Sequence, residues 1–242
     1  RKLVDRIAAS PQVLGGMMTR LTLVDAFQPP VPAALQAITT AQTADLADAT
    51  IPPKLIATRP DLILHPAAIV SGEAAADFDK GYRINLDGTR YLIDAIRAIG
   101  GGYKPRLVFT SSIAVFGAPF PDKIGDEFIH TPLTSYGTQK SICEMLIADY
   151  TRKGLLDGIG IRLPTICVRP GKPNRAASGL FSGIIREPLV GLEATLPLPD
   201  TTRPWLTSPP SAVQLLRHSA VLDPHRLVDP PHPAEELLAF HP

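Results

Sequence analysis

Short, nearly continuous apolar runs, each closing on a polar or small residue, alternate along this chain with longer stretches of helical periodicity. The clearest runs are Leu21-Thr22-Leu23-Val24-Asp25, Asp61-Leu62-Ile63-Leu64-His65 and Arg106-Leu107-Val108-Phe109-Thr110-Ser111-Ser112. A fainter strand is expected near Ala37 to Thr40 and another over Gly158 to Arg162. A strand that is apolar throughout has both faces covered, which argues for a parallel sheet under two layers of helix. Helices are expected over residues 1 to 9, where Leu3, Val4, Ile7 and Ala8 share a face, and over 52 to 58, 73 to 99, 136 to 152 and 209 to 221. Tyr91, Leu92, Ala95 and Ile99 form the inward stripe of the third, and Ile142, Met145, Leu146 and Ala148 that of the fourth. Gly15-Gly16 marks a turn, and Gly100-Gly101-Gly102 stops a helix. Ligands bind such a sheet outside the carboxyl ends of its strands. Asp25, Ala67, Ala68, Ser111 and Ser112 all fall there.

Charge and composition remove several other classes. With 24 basic and 23 acidic residues scattered along 242, the net charge is +1. That leaves no footprint for nucleic acid or an anionic membrane, and neither is expected as a partner. No run approaches the ~20 apolar residues that span a bilayer. The opening Arg1-Lys2-Leu3-Val4-Asp5-Arg6-Ile7 carries charges inside its apolar pattern, unlike a signal peptide. Two cysteines, Cys143 and Cys167, cannot build a disulfide framework, and the six histidines lack metal-ligand spacing. No metal site is expected, and the expected compartment is the reducing cytoplasm. Proline stands at 26 of 242, about twice the usual ~5%. Much of it lies late, so residues 223 to 242 read as an irregular tail.

Tyr136-Gly137-Thr138-Gln139-Lys140 sets a phenol and an ammonium four residues apart, on one face of the expected helix. A free phenol, with a pKa near ~10, is a poor base at neutral pH, but a neighbouring cation favours its ionised form. Tyr136 can then take a hydroxyl proton while hydride leaves the same carbon. The hydroxyl of Ser112, at a strand's carboxyl end, can hold the reacting oxygen as carbonyl character develops.

These blocks, in this order, resemble the extended short-chain dehydrogenase/reductase superfamily, also described as the NAD-dependent epimerase/dehydratase superfamily. The likeness runs over roughly residues 1 to 222. It is strongest in His65-Pro66-Ala67-Ala68, Asn85-Leu86-Asp87-Gly88-Thr89, Thr110-Ser111-Ser112 and Tyr136-x-x-x-Lys140. Within the superfamily, Ala67 to Gly72 and Arg162 to Gly171 resemble the D-erythronate dehydrogenase group. The resemblance implies a Rossmann-like doubly wound α/β fold. Residues 1–165 would hold NAD, 166–222 would form a small substrate-binding portion, and 223–242 would be the proline-rich tail. It implies Ser112, Tyr136 and Lys140 as catalytic residues, with Lys140 also on the nicotinamide ribose. Asp45 and Leu46 would lie near the adenine. Pro66, Ala67 and Ala68 would line the dinucleotide, Asn85 would organise the site, and Leu163 and Pro164 would face the nicotinamide. Thr165, Arg203 and Trp205 join Ser112 and Tyr136 on the substrate side. Asp25, at its strand end, can accept from ribose hydroxyls and repel a 2′-phosphate, selecting NAD over NADP. Relatives pair through two helices, so a homodimer through segment 73–99 and the Tyr136 helix is expected.

Three departures temper what the resemblance implies. The superfamily's opening strand and glycine-rich turn have no counterpart after Arg1, and Gly15-Gly16 lies beyond the first helix. Pro66 replaces an aliphatic residue and removes a donor at a strand end. Leu206 and Pro210 stand where the dehydrogenase group carries His and Arg. The leading expectation is an oxidoreductase of carbohydrate metabolism that oxidises a small sugar acid such as D-erythronate. The alternatives are a nucleotide-sugar epimerase and a non-catalytic NAD-binding protein. A dehydratase fits less well, because Ile113 and Ala114 follow Ser112 where dehydratases carry an acid pair.

A helix N-terminus without its glycine-rich turn gives a pyrophosphate no cradle. The natural protein is therefore expected to begin earlier than Arg1, and a chain starting at Arg1 to bind NAD poorly. A calorimetric titration returning tight NAD binding to that chain would refute this.

Overall fold

The computed structural model describes residues 2–125, 128–169, 179–199 and 201–223. The proline-rich tail lies, from 224 onward, outside the described residues. Helix α1 (Lys2–Ala9) leads into a small antiparallel hairpin, β1 (Gln12–Val13) and β2 (Gly16–Met17). Its two-residue turn needs positive φ at both positions, supplied by Leu14 at 52° and Gly15 at 77°. Glycine takes that conformation freely, whereas Leu14 is strained in it.

Strand β3 (Leu21–Asp25) pairs in parallel with β4 (Thr39–Thr43), and Asp25 sits opposite Thr43. The fainter expected strand thus starts at Thr39, because residues 33 to 38 wind into a 3₁₀ turn after Pro32. Helix α2 (Ile51–Ile56) takes Pro52 and Pro53 in its first turn, where the missing N–H groups cost nothing. Strands β5 (Leu62–His65), β6 (Arg106–Ser112) and β7 (Asp157–Leu163) form a parallel three-stranded sheet in that order. Among the described residues β3 and β5 are each paired on one side only.

The single helix expected over 73 to 99 is broken. Helix α3 (Ser71–Ala76) stops at Asp77, which adopts an extended conformation and caps α4 (Phe78–Gly81) by accepting from the Lys80 amide at 3.0 Å. A wide π turn over Tyr82–Asp87 follows, and α5 (Gly88–Ile99) resumes the regular spiral. The π turn brings Asn85 into the interior. Apolar spacing continues through both irregularities, and for that reason it does not reveal them.

Helix α6 (Ser135–Arg152) starts at the N-cap Thr134, whose hydroxyl accepts from the Gly137 amide at 3.0 Å. Its buried stripe is also not the expected one. Lys140, Ser141, Cys143 and Ile147 face inward, while Met145 and Ala148 are exposed. Strand β8 (Thr165–Ile166), helix α7 (Gly179–Arg186) and strand β9 (Leu206–Thr207) precede α8 (Pro209–Val221), and β8 pairs in parallel with β9.

The layers account for the apolar strands. On one face Leu107 and Phe109 of β6 pack with Leu92, Ile93 and Ile96 of α5 and with Cys143 and Ile147 of α6. On the other, Val108, Ile159 and Ile161 pack against Leu216 and Ala220 of α8, with Leu3 of α1 alongside. Each fully buried side chain of this kind contributes about 2 kcal/mol relative to exposure. Arg106 fastens the outer layer. It pairs with Asp157 at 2.7 Å and donates to the carbonyls of Ser219, Ala220 and Leu222, which end α8. Parallel strands with helices on both faces make a Rossmann-like doubly wound α/β fold. Among the described residues no helix is long and apolar enough to cross a membrane.

His65, at the end of β5, is buried, with its Nε2 3.0 Å from the Thr89 hydroxyl. That hydroxyl already donates to the Asn85 carbonyl at 2.9 Å, so His65 must donate to it and is neutral with Nε2 protonated. Burial, reinforced by the Lys140 charge, pushes the imidazole down to about 3 from 6.5. Below pH ~6.5 the unfolded chain therefore takes up a proton that the folded one refuses, and stability falls by about 1.4 kcal/mol per pH unit. His65→Gln is expected to remove about 2 kcal/mol of the stability lost between pH 7 and pH 5. Urea denaturation of both proteins at the two pH values measures it, and identical losses would contradict the assignment.

Candidate active site

The ends of β6 and β7 and the first turns of α6 meet at one edge of the sheet. Ser112 lies opposite Leu163, and Ser111 opposite Arg162. The phenol of Tyr136, on the first turn of α6, is half-buried and shares a hydrogen bond with Ser112. Burial raises the phenol above its ordinary value near 10, and the Ser112 contact pulls against that rise. The hydroxyl of Ser112 also accepts from the Ala114 amide at 3.1 Å, which fixes where it can point.

Lys140, one helical turn beyond Tyr136, is 1% exposed. Its ammonium donates to the Thr110 carbonyl at 2.7 Å and lies 4.5 Å from the centre of the Phe109 ring and 5.8 Å from that of Tyr136. Burial drives its pKa down to about 8 from 10.5, opposed by nearby Cys143 and Glu144. The sequence-based expectation that Lys140 acidifies Tyr136 does not hold for the chain alone. The ammonium is spent on a backbone carbonyl, and burial dominates the phenol.

Asn85 links this edge to the segment after β5. It is 1% exposed, accepts from the Ile69 amide at 2.9 Å and donates to the Gln139 side chain at 2.7 Å. The residue before Lys140 is thereby tied to the end of the Pro66-Ala67-Ala68 segment, where Pro66 and Ala67 are exposed and Ala68 half-buried. Asp25 is exposed at the end of β3, one oxygen accepting from the Phe27 amide at 3.1 Å. Asp45 is already engaged: Arg83 holds one oxygen at 2.7 Å and the Ala47 amide the other at 2.9 Å. The Arg83 hydrogen bond keeps that carboxyl below its usual pKa. Leu46 packs by its backbone near Gly88. On the far side Pro164 is buried, and the Thr165 amide donates to the Trp205 carbonyl at 3.0 Å. Arg203 is exposed and donates only to the nearby Thr201 carbonyl. The structure therefore gathers Ser112, Tyr136, Lys140, Leu163 and Pro164, joins Asn85 to them through Gln139, and sets Thr165 beside Trp205.

Several residues escape sequence reasoning. Gln139 is buried beside Asn85, and its Nε2 has no hydrogen-bond partner among the described residues. Glu144 continues the Tyr136 and Lys140 face by one further turn, a spacing that could have flagged it. Two glycines allow backbone to press on the site. A Cβ at Gly117 would stand 2.0 Å from the Thr131 carbonyl oxygen, and one at Gly137 2.1 Å from that of Ala114.

The model of the NAD dependent epimerase/dehydratase family matches residues 6–207. The solved nucleoside-diphosphate-sugar epimerase of Agrobacterium tumefaciens superposes with a TM-score of 0.90 at 61% identity, over 94% of this chain and 67% of that one. The D-erythronate dehydrogenase of Cupriavidus necator is 46% identical over 86% of this chain. That of Haemophilus influenzae is 48% identical over 70%. The chain spans 63% and 53% of the lengths of these two curated relatives.

The buried ammonium has a cost that can be measured. Its pKa falls from 10.5 to about 8, so the charged form opposes folding by about 3 kcal/mol below pH 8. Between pH 8 and 10.5 the unfolded chain holds the extra proton, so stability recovers as pH rises. Lys140→Met removes that burden and gives up one hydrogen bond worth about 1 kcal/mol. The variant is expected to be more stable than the parent at pH 7, by about 1–2 kcal/mol, with the gap closing by pH 9.5. Thermal denaturation at both pH values checks this, and a gap independent of pH would count against a charged, buried lysine.

Proposed function

The chain belongs to the NAD dependent epimerase/dehydratase family, and we propose that it oxidises a hydroxyl of a small sugar acid such as D-erythronate. The observation that carries this reading is the half-buried Tyr136 phenol on Ser112, with the Lys140 ammonium buried on the same helix face. Kinship at 46% and 48% identity with two D-erythronate dehydrogenases supports the substrate class.

The residues at the sheet edge suit a dinucleotide. Asp25 offers an acid at the end of β3, and small Ala67 and Ala68 follow β5, held through Ile69 by the buried Asn85. Pro66 to Ala68, Leu163 and Pro164 would line it, and Asp45 would reach an adenine only by releasing Arg83. We assign residues 1–165 to this cofactor and 166–222 to the substrate. When bound, NAD supplies the hydride acceptor and a positive ring beside the phenol.

The remaining chemistry belongs to the chain. Ser112 donates to the substrate oxygen and orients the carbon that loses hydride. Tyr136 takes the hydroxyl proton, and the buried Lys140 charge stabilises the phenolate left by the previous cycle. The exclusion of water around Lys140 strengthens that interaction, because a charge acts over a longer reach in a poorly polarisable interior. Trp205 and Arg203, beside and beyond Thr165, present an apolar ring and a cation to a carboxylated substrate.

A second reading, epimerisation of a nucleotide sugar on retained NAD, draws on the 61% identity to the Agrobacterium protein described as a nucleoside-diphosphate-sugar epimerase. Absorbance of NADH separates the two. It rises with turnover of a sugar acid and stays flat while a UDP-sugar is isomerised. With the full-length protein, D-erythronate is expected to give the rise, and Tyr136→Phe to lower kcat about 10²–10⁴-fold with NAD affinity little changed. Retention of full activity by the phenylalanine variant would remove the catalytic reading and leave a protein that only binds NAD.

A further inference from the structure

A charged cluster lies directly beneath the Ser112–Tyr136 pair and takes no part in the chemistry above. Tyr136, Lys140 and Glu144 recur every fourth residue on α6, so all three side chains look toward the ends of β6 and β7. Glu144 is 11% exposed at its side chain. One oxygen accepts from the Ser111 hydroxyl in a short contact. The other accepts from Arg162 Nε at 3.1 Å and from its NH2 group at 3.0 Å. His130, from the segment leading into α6, brings Nε2 to 3.3 Å from Glu144 and accepts from Arg162 at 2.6 Å. The guanidinium lies over the Phe116 ring at 5.0 Å, closing the cluster from the loop side.

Four separate pieces of chain are tied to one carboxylate. Ser111 and Arg162 face each other across β6 and β7, one step below the pair formed by Ser112 and Leu163. Adjacent strand residues point to opposite faces, so Ser111 turns toward α6 while its neighbour stays available to the phenol. His130 is followed by Thr131, whose amide donates to the Val115 carbonyl at 3.0 Å, and then by Thr134, the cap of α6. The height of Ser112 relative to Tyr136 is therefore set by what grips the strand below it and the helix beyond it, and Glu144 grips both.

We propose that Glu144 is a positioning residue, which fixes the Ser112–Tyr136 hydrogen bond by clamping Ser111 and Arg162 to the Tyr136 helix. The proposal rests on Tyr136 and Ser112 forming the reacting pair. A buried carboxylate holding bidentate arginine and a hydroxyl is rigid, because each charge-assisted bond is short and directional. Its negative charge also lies on the same helix face as Lys140 and helps to keep that ammonium protonated.

The test needs a signal from Tyr136 itself that does not depend on turnover. Carbon-13 labelling of the tyrosine Cζ atoms gives resonances sensitive to phenol hydrogen bonding, and Tyr136→Phe identifies the one that belongs to residue 136. Ser112→Ala supplies the reference position with the bond lost. In Glu144→Gln the Tyr136 resonance is expected to move most of the way to that reference, and in Ser111→Ala part of the way, with those of the other tyrosines unmoved. In the full-length protein kcat is expected to fall about 10- to 100-fold while KM changes less than about threefold. If Glu144→Gln leaves Arg162 too exposed to fold, Glu144→Gln/Arg162→Met removes both charges and takes its place in the comparison. A folded variant set whose Tyr136 resonance coincides with the parent's would overturn the proposal and leave the cluster as a fold element. Failure to find a sugar-acid substrate would leave the resonance result standing, so the two readings fail separately.

Discussion

One helix lies along one buried strand, and it must supply both core and chemistry from the same face. The α6 residues that meet β6 are Lys140, Cys143, Glu144 and Ile147, two apolar and two charged. Phe109 touches Cys143 and Ile147 in the core and also carries the Lys140 ammonium over its ring. A charge can sit there only because β6 offers it the Thr110 carbonyl. An unpaired ammonium at that depth would cost far more than the packing returns. The distances among phenol, serine and ammonium are consequently properties of the helix–strand contact, and loop conformation has little say in them.

How much of this is legible in the residues follows from the same contact. The strands are plain because a short apolar run bounded by polar residues suits a strand covered on both faces, and their polar ends locate the edge correctly. Tyr136, Lys140 and Ser112 are legible through residue type and spacing. The inward stripe of α6 is not, since a pattern of apolar residues assigns Lys140 and Ser141 to solvent and Met145 to the core. The interior there is polar by requirement, and periodicity counts only hydrophobicity. The break at Asp77 and the π turn around Asn85 are hidden for the converse reason. Apolar spacing persists across them, and only a cap and a hydrogen bond to Gln139 distinguish the real path. Glu144, Arg162 and His130 come from three different segments, so no local pattern joins them.

The two functional readings share this core and diverge around it. Ser112, Tyr136 and Lys140 serve a dehydrogenase and an epimerase alike, because both begin by removing hydride from a hydroxyl-bearing carbon. What separates them is the surface presented by residues near Thr165 and Trp205 and by the segment between β6 and α6. The first pairs two strands far apart in sequence, β8 and β9, so the substrate side is assembled late and from distant parts.

Gly117 and Gly137 bring that second segment down onto the site, each leaving too little room for even a methyl group between two stretches of backbone. They act as the fixed pegs of an otherwise open span, whose middle carries the exposed Phe120 and Ile129. Diversification of substrate range in this architecture, whether by drift or by directed evolution, is thus channelled. Changes at the pegs unseat the lid of the pocket, while the residues strung between them can be rewritten at little structural expense.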